Sequence, residues 1–116
     1  MVKVFGFLTK REGMEMQAFI DYYEHTHVPL ICRLAPPPLV YKRRYLMRGE
    51  ALTKEGGALD CDVVTELGFP DRAAFVAWMA QLSGPGVGEQ VAADEARFLD
   101  RSRTRASVIE DRVTAG

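Results

Sequence analysis

The sequence predicts an α+β domain of ferredoxin-like order βαββαβ, a sandwich of helices on a four-stranded antiparallel sheet. Four segments alternate apolar and polar residues with the period of two that is typical of strands. Segments of helical periodicity lie between the first and second strands and between the third and fourth, so the chain divides into two similar strand-helix-strand halves. Its 116 residues suit one domain, which we expect to span residues 1–116.

The first half begins with a strand at residues 1–9, with Val4 and Leu8 on one face and Phe5 and Phe7 on the other. Apolar side chains then recur at helical spacing from residue 14 to residue 27. Pro29 disfavours the α-helical conformation for the residue before it. We therefore expect the helix to end or kink near residue 27, with a second short helix reaching residue 34. Three prolines at 36–38 then exclude regular structure.

The rest of the chain supplies the three remaining strands and two further helices. Residues 39–48 and 61–69 alternate as strands and flank a flexible loop at 49–59. Asp71 is predicted to cap a helix, whose apolar stripe consists of Phe75, Trp78, Met79 and Leu82. Another helix is predicted from about residue 89 to residue 100, and a closing strand from residue 103 to residue 113.

Composition excludes several classes of protein. Fifteen basic and sixteen acidic side chains leave a net charge of -1, so a general attraction to nucleic acid or to anionic lipid is not expected. No apolar run is long enough to span a membrane. Cys32 and Cys61 are too far apart in sequence for a CxxC motif, which excludes zinc ribbons and disulfide-rich scaffolds. We expect free thiols and a cytoplasmic protein.

The predicted sheet needs a partner. Helices cover only one face of a ferredoxin-like sheet, while residues such as Phe5, Phe7, Tyr41 and Val63 supply apolar side chains to both faces. Exposed apolar patches of this kind mark partner surfaces. A homodimer formed through the open sheet face is the simplest solution.

The most distinctive segment, residues 22–30 (YYEHTHVPL), contains both histidines of the chain. On a helix, residues two apart point in nearly opposite directions, so His25 and His27 are poorly placed to share a metal ion. His27 falls on the inward stripe, where it is either a buried histidine satisfied by a backbone or carboxylate partner or a general acid/base in an apolar pocket. His25 falls on the opposite side, towards solvent or a neighbouring chain.

Other side chains are candidates for the same pocket. The hydroxyls of Tyr23, Tyr41 and Tyr45 can donate hydrogen bonds to an enolate, although each residue can equally be a packed aromatic. Glu66, in the middle of a strand, is either an inward carboxylate that partners His27 or the ion-pair partner of an arginine on the next strand. Apolar walls are expected from aromatic residues, namely Phe7, Tyr23, Trp78 and Phe98.

The chain resembles the EthD-domain family of the dimeric α/β-barrel (ferredoxin-like) superfamily. The resemblance rests on the opening strand (VKVFGFL), residues 21–30 (DYYEHTHVPL), residues 64–69 (VTELGF) and residues 93–103 (ADEARFLDRSR), and it covers essentially the whole chain. It implies a homodimer whose sheets form a barrel, with a cleft in each subunit between sheet and helices. The histidine of the T-H-x-P-L element corresponds to His27, which is therefore the expected acid/base. His25 stands where relatives often have a residue such as Asn, so it is either a second proton carrier or without a role.

The resemblance does not fix one reaction. Related proteins include aromatic polyketide cyclases, decarboxylating lyases, muconolactone-type isomerases, cofactor-free monooxygenases and members without known activity. We expect an enzyme without cofactor or metal that acts on a polyketide-like or aromatic lactone ligand by cyclisation, decarboxylation or isomerisation, with His27 as acid/base. The alternatives are a small-molecule-binding or accessory protein without chemistry, and a cofactor-free monooxygenase.

Overall fold

A computed structural model describes residues 1–57 and 59–116 of the chain. Four antiparallel strands form one sheet in the order β2-β3-β1-β4, where β1 is Val2–Leu8, β2 is Val40–Tyr45, β3 is Val63–Phe69 and β4 is Arg105–Ile109. With helical segments between β1 and β2 and between β3 and β4, this order confirms the predicted ferredoxin-like topology.

Strand register determines which side chains share a face. Gly6 of β1 lies opposite Thr65 of β3 and Ala106 of β4, and Arg43 of β2 also lies opposite Thr65. Directly paired residues point to the same side of a sheet, so these residues belong to the face that the helices cover. The neighbouring residues in each strand, Phe7 among them, belong to the open face.

The first helical region continues through the proline. Helix α1 is Met16–Tyr22, a π-helical turn spans Tyr23–His27, and helix α2 is Val28–Leu34. In a regular α-helix, residue 29 would donate its N–H to the carbonyl of His25, but Pro29 has no N–H and its ring would clash with that carbonyl. The wider turn avoids this clash: Val28 donates its N–H to the carbonyl of Tyr23, five residues back. The predicted end near residue 27 is therefore a widened turn within a continuing helix.

The second half follows the prediction with shifted boundaries. Helix α3 is Arg72–Ser83, and the Asp71 carboxylate caps it by accepting a hydrogen bond from the N–H of Ala74 at 2.8 Å. Helix α4 is Val87–Glu95, which begins and ends earlier than predicted. Turns after residue 95 bring Phe98 and Leu99 into the core, a tertiary effect that helical periodicity alone does not reveal.

The core lies between α1, the π-helical turn, the beginning of β3 and the turns that follow α4. It contains Phe19, Tyr23, Val63, Phe98 and Leu99, none of them more than 4% exposed. Among the described residues, no helix has the length and apolar character needed to cross a membrane. Cys32 and Cys61 are both free thiols.

Candidate functional site

A partly open cavity of about 440 Å³ lies between the helix-covered sheet face and the helices. Its lining is mostly apolar, with sheet residues Val4 and Leu67 on one side and Phe75 and Leu82 of α3 on the other. Cavities of this size and character suit small molecules. Four of the side chains that the sequence analysis selected line it: Tyr23, His27, Tyr41 and Trp78.

His27 is buried and anchored through one ring nitrogen. Its Nδ1 lies 2.7 Å from Oδ2 of Asp94, a buried residue in the last turn of α4. The carboxylate accepts, so Nδ1 carries the proton and donates. Among residues 1–57 and 59–116, Nε2 has no hydrogen-bond partner, and it is not sealed from solvent. Since His27 lines the cavity, Nε2 is the nitrogen available to a bound molecule.

Asp94 holds two residues of the first helical region at once. Its Oδ1 accepts a hydrogen bond from the Tyr22 hydroxyl at 2.6 Å, while Oδ2 accepts from His27. The ring of Phe98 stacks on Tyr22 at 5.1 Å and lies 4.9 Å from the imidazole of His27. A charge-assisted hydrogen bond and aromatic packing together fix the orientation of the imidazole.

The hydroxyl groups of Tyr23, Tyr41 and Thr65 lie close together beside His27. Tyr23 Oη lies 2.6 Å from Oγ1 of Thr65, and the Tyr23 ring lies edge-on to His27 at 5.4 Å. Burial raises the pKa of Tyr23 to about 12, and burial also raises the pKa of Tyr41 well above its usual range. Both phenols are therefore protonated at neutral pH and are hydrogen-bond donors.

An ion pair fastens the π-helical turn to the sheet. Arg43 Nε and Nη2 donate to the two carboxylate oxygens of Glu24 at 2.9 and 2.6 Å, and the Tyr45 hydroxyl donates to Glu24 at 2.5 Å. The hydrogen bond from Arg43 holds the pKa of Glu24 below its ordinary value. The turn is thus bound through Glu24 to β2 and through His27 to α4.

Glu66 does not partner His27, because it lies on the other face of the sheet. It is opposite Phe5 in the strand register, and its carboxylate forms ion pairs with Arg44 at 2.7 Å and Lys3 at 3.6 Å. The alternative expectation, an ion pair with an arginine of the next strand, is the one observed. The hydrogen bond from Arg44 lowers the pKa of Glu66.

Four other selected residues also lie away from the cavity lining. Phe7 was expected in the pocket wall, but its register places it on the open sheet face, where it is 37% exposed. Phe98 was expected there too, but it is fully buried in the core. Tyr45 packs against that core and binds Glu24, and His25 is exposed. Phe98 and Tyr45 therefore stabilise the core, and Phe7 belongs to the open sheet face; none of the three forms the cavity wall.

Asp94 is the site residue that the sequence analysis missed. Acidic and basic residues are interleaved between residues 94 and 105, a pattern typical of a solvated or salt-bridged surface, and this pattern gives no sign that Asp94 is buried. A carboxylate partner for His27 was expected, but its position 67 residues further along the chain depends on how α4 packs. The position of Asp94 within the resemblance-bearing run ADEARF was the available signal.

Trp78 carries an unsatisfied donor. Its Nε1 is buried, and it is the one such side-chain nitrogen or oxygen without a partner in the part of the chain that the structure describes. A buried N–H without an acceptor is unfavourable, so an acceptor supplied by a ligand would be stabilising. Within the same residues, no group of three or more His, Cys, Asp or Glu side chains is arranged to hold a metal ion.

Comparisons with known proteins assign the chain to a family. Residues 11–102 match the model of the EthD domain. The chain is similar in structure to an ethyl tert-butyl ether D (EthD) family protein from Bacillus halodurans, with a TM-score of 0.65 and 20% sequence identity over 97% of this chain and 99% of that chain. At this identity the similarity shows the fold alone. No curated protein matches the sequence.

Proposed function

The chain belongs to the EthD domain family, and on that premise we propose that its cavity is the active site of a cofactor-independent acid/base enzyme. The substrate class is a flat, polyketide-like or aromatic carbonyl compound or lactone. The observation that carries the proposal is the buried pair of His27 and Asp94, with one imidazole nitrogen fixed by the carboxylate and the other available in an apolar cavity.

The proposed step is a proton transfer beside a carbonyl group. His27 Nε2 removes the proton from the carbon next to the carbonyl, and the C–H electron pair forms the C=C bond of an enolate as the carbonyl π pair moves to oxygen. Tyrosine hydroxyls in the cavity donate hydrogen bonds to that oxygen. The imidazolium then delivers the proton to a different carbon of a conjugated enolate, which gives isomerisation. In cyclisation, the enolate carbon instead attacks a second carbonyl, and the proton goes to the new alkoxide. In decarboxylation, the substrate carboxylate leaves as CO₂, its C–C electron pair forms the enolate, and His27 delivers to carbon a proton taken up from solvent.

Two residues have defined parts in this step. Asp94 keeps the proton on Nδ1, so that Nε2 is the basic nitrogen, and its negative charge stabilises the imidazolium that forms. Tyr41 lines the cavity as a protonated phenol and is a donor to the enolate oxygen. Apolar walls exclude water and strengthen both interactions.

The proposal is tested with β-tetralone, a flat bicyclic ketone with acidic hydrogens beside its carbonyl. The protein in D₂O is expected to accelerate deuterium incorporation at that carbon, followed by proton NMR, and His27→Gln is expected to remove the acceleration. Binding of the ketone without acceleration would contradict the enzyme and favour the alternative of a binding protein. Absence of binding would contradict the substrate class. Formation of an oxygenated product that requires dissolved oxygen would indicate the monooxygenase alternative.

We propose further that the protein is a cytoplasmic homodimer, joined through the open sheet face. This face carries the apolar side chains of Phe5 and Phe7, in contact at 6.4 Å between ring centroids, beside the ion pairs of Glu66. Two copies of the same face can pair around a twofold axis, which buries the aromatic residues of both. Free Cys32 and Cys61 are compatible with the reducing conditions of the cytoplasm.

A further inference from the structure

We propose that Arg43 is a positioning residue, which holds the Tyr41 phenol in the cavity as the hydrogen-bond donor to the ligand oxygen. This inference rests on the proposed function, because it assigns the support of a group that the proton-transfer step uses. The observation behind it is a set of contacts that attach Arg43 to Tyr41 on one side and to the turn carrying His27 on the other.

Arg43 contacts Tyr41 in two ways. Its Nη1 donates to the backbone carbonyl of Tyr41 at 2.7 Å, and its guanidinium carbon lies 5.0 Å from the centre of the Tyr41 ring. The hydrogen bond fixes the main chain of β2 at Tyr41, and the cation–π contact restrains the Tyr41 ring. Both residues point to the helix-covered side of β2, because they are two positions apart in the strand.

The guanidinium is itself held rigidly. Glu24 accepts from Nε and Nη2 in a two-point arrangement, which fixes the plane of the guanidinium as well as its position. The Tyr45 hydroxyl donates to the same carboxylate, so the acceptor is also restrained. Arg43 has 19% and Glu24 28% of its side chain exposed, and water competes less for such a half-buried pair than for a surface pair.

This arrangement couples the two functional side chains. Glu24 and His27 belong to the same π-helical turn. The ion pair of Glu24 with Arg43 therefore sets the distance between this turn and β2, and with it the distance between the His27 imidazole and the Tyr41 phenol. The positive charge of Arg43 also opposes the effect of burial on Tyr41 and keeps the pKa of that phenol lower than burial alone would set it. A phenol made more acidic is a stronger donor to an enolate.

The test is a double-mutant cycle on deuterium exchange into β-tetralone, with kcat and KM determined separately. Tyr41→Phe is expected to lower kcat about 100-fold, as removal of an oxyanion donor does. Arg43→Met is expected to lower kcat about 10-fold or more with little change in KM, because the donor is misplaced. The double variant is expected to be no slower than Tyr41→Phe alone, since Arg43 acts through the phenol.

Lys42→Met is the matched control, because Lys42 is the neighbouring cation on β2 but points to the open face and is exposed. It is expected to keep the wild-type kcat. Arg43→Lys keeps the charge but not the two-point contact, and it is expected to recover part of the loss in kcat. Circular dichroism shows whether each variant folds, and Arg43→Lys replaces Arg43→Met in the cycle if Arg43→Met does not. Losses that multiply in the double variant, or an unchanged kcat in Arg43→Met, would overturn the inference.

A second readout separates this inference from the proposed function. The affinity for β-naphthol, a flat phenol that mimics an enol, is measured by fluorescence for the same variants and needs no turnover. If wild-type protein binds β-naphthol but does not exchange β-tetralone, the proposed function fails, while a non-additive cycle in affinity would still support positioning by Arg43. An additive cycle in affinity, or no binding of β-naphthol, would overturn the inference.

Discussion

At the scale of single residues, the environment of His27 determines what its imidazole can do. A buried histidine with one nitrogen bound to a carboxylate is oriented, and its other nitrogen is free to accept a proton. The geometry of His27 is therefore compatible with both expectations. The histidine is buried with a carboxylate partner, and its position in the cavity also suits an acid/base. Asp94 distinguishes this histidine from the exposed His25.

The carboxylate of Asp94 can be tested without changing its shape. Asp94→Asn keeps an acceptor for the hydrogen bond but removes the charge that stabilises the imidazolium. We expect exchange of β-tetralone to slow by about 30-fold, equivalent to about 2 kcal/mol, with the fold retained. Glu89→Gln, an exposed change on the same helix, is the control. Equal rates for Asp94→Asn and the wild type would contradict the role of the pair.

The ion pair of Glu24 predicts a contribution to stability that depends on pH. Because the hydrogen bond from Arg43 lowers the folded-state pKa of Glu24 below its ordinary value of 4.5, the folded state binds this proton more weakly than the unfolded state does. The contribution is complete above pH 4.5 and is lost as the pH falls through the folded-state value. Urea denaturation at a series of pH values should therefore show a steeper acid decline for the wild type than for Glu24→Gln. Identical declines would show that the pair contributes nothing.

At the scale of elements, the π-helical turn is the feature on which the site depends. It allows a helix to continue through Pro29, and it presents Glu24 to β2 and His27 to α4. The proline signal in the sequence indicated an interruption at this point. It could not distinguish an end from a widened turn, because the choice depends on contacts with β2 and α4, which are distant in sequence.

Deleting Thr26 should convert the wide turn into a regular one. In the regular turn the ring of Pro29 would clash with the carbonyl four residues before it, with a loss of about 3 kcal/mol in the free energy of unfolding. Deletion of Thr53, an exposed residue in the loop after β2, should change it little. Urea denaturation measures both, and similar losses in the two variants would contradict a special role for the turn.

Features that depend on neighbouring residues in the sequence were predicted correctly, whereas features that depend on tertiary contacts were not. Alternation within each strand separated Phe5 and Phe7 from Val4 and Leu8 as the register requires, and the apolar stripe predicted on α3 lines the cavity through Phe75 and Leu82. Alternation does not say which face the helices cover. For that reason Phe7 was assigned to the pocket and an inward position stayed open for Glu66, although register places both on the open face. Asp94 was missed for the same reason: its partner is set by tertiary packing.

At the scale of the whole molecule, the sheet separates two surfaces of different character. The helix-covered face forms the cavity, and the open face carries Phe5, Phe7 and the ion pairs of Glu66. The proposed dimer uses the open face and the proposed site uses the covered face, so substitutions on one face should leave the property assigned to the other unchanged.

The oligomeric state gives a direct test of the open face. Wild-type protein is expected to sediment as a dimer of the 13.0 kDa chain, and Phe7→Arg is expected to sediment as a monomer, because two arginines would face each other across the twofold axis. Val76→Arg replaces an exposed apolar residue of α3 and should leave the dimer intact. A monomeric wild type would contradict the dimer, and a dimer that persists in Phe7→Arg would place the interface elsewhere.

The most direct test of the site is nitrogen NMR of protein labelled in its two histidines, titrated with β-naphthol. We expect the ligand to shift the Nε2 resonance of His27 strongly, to shift Nδ1 little because it stays bound to Asp94, and to leave both nitrogens of His25 unchanged. Saturating β-naphthol that leaves the Nε2 resonance of His27 unmoved would show that the imidazole does not meet the ligand, and the proposed proton transfer would have no base.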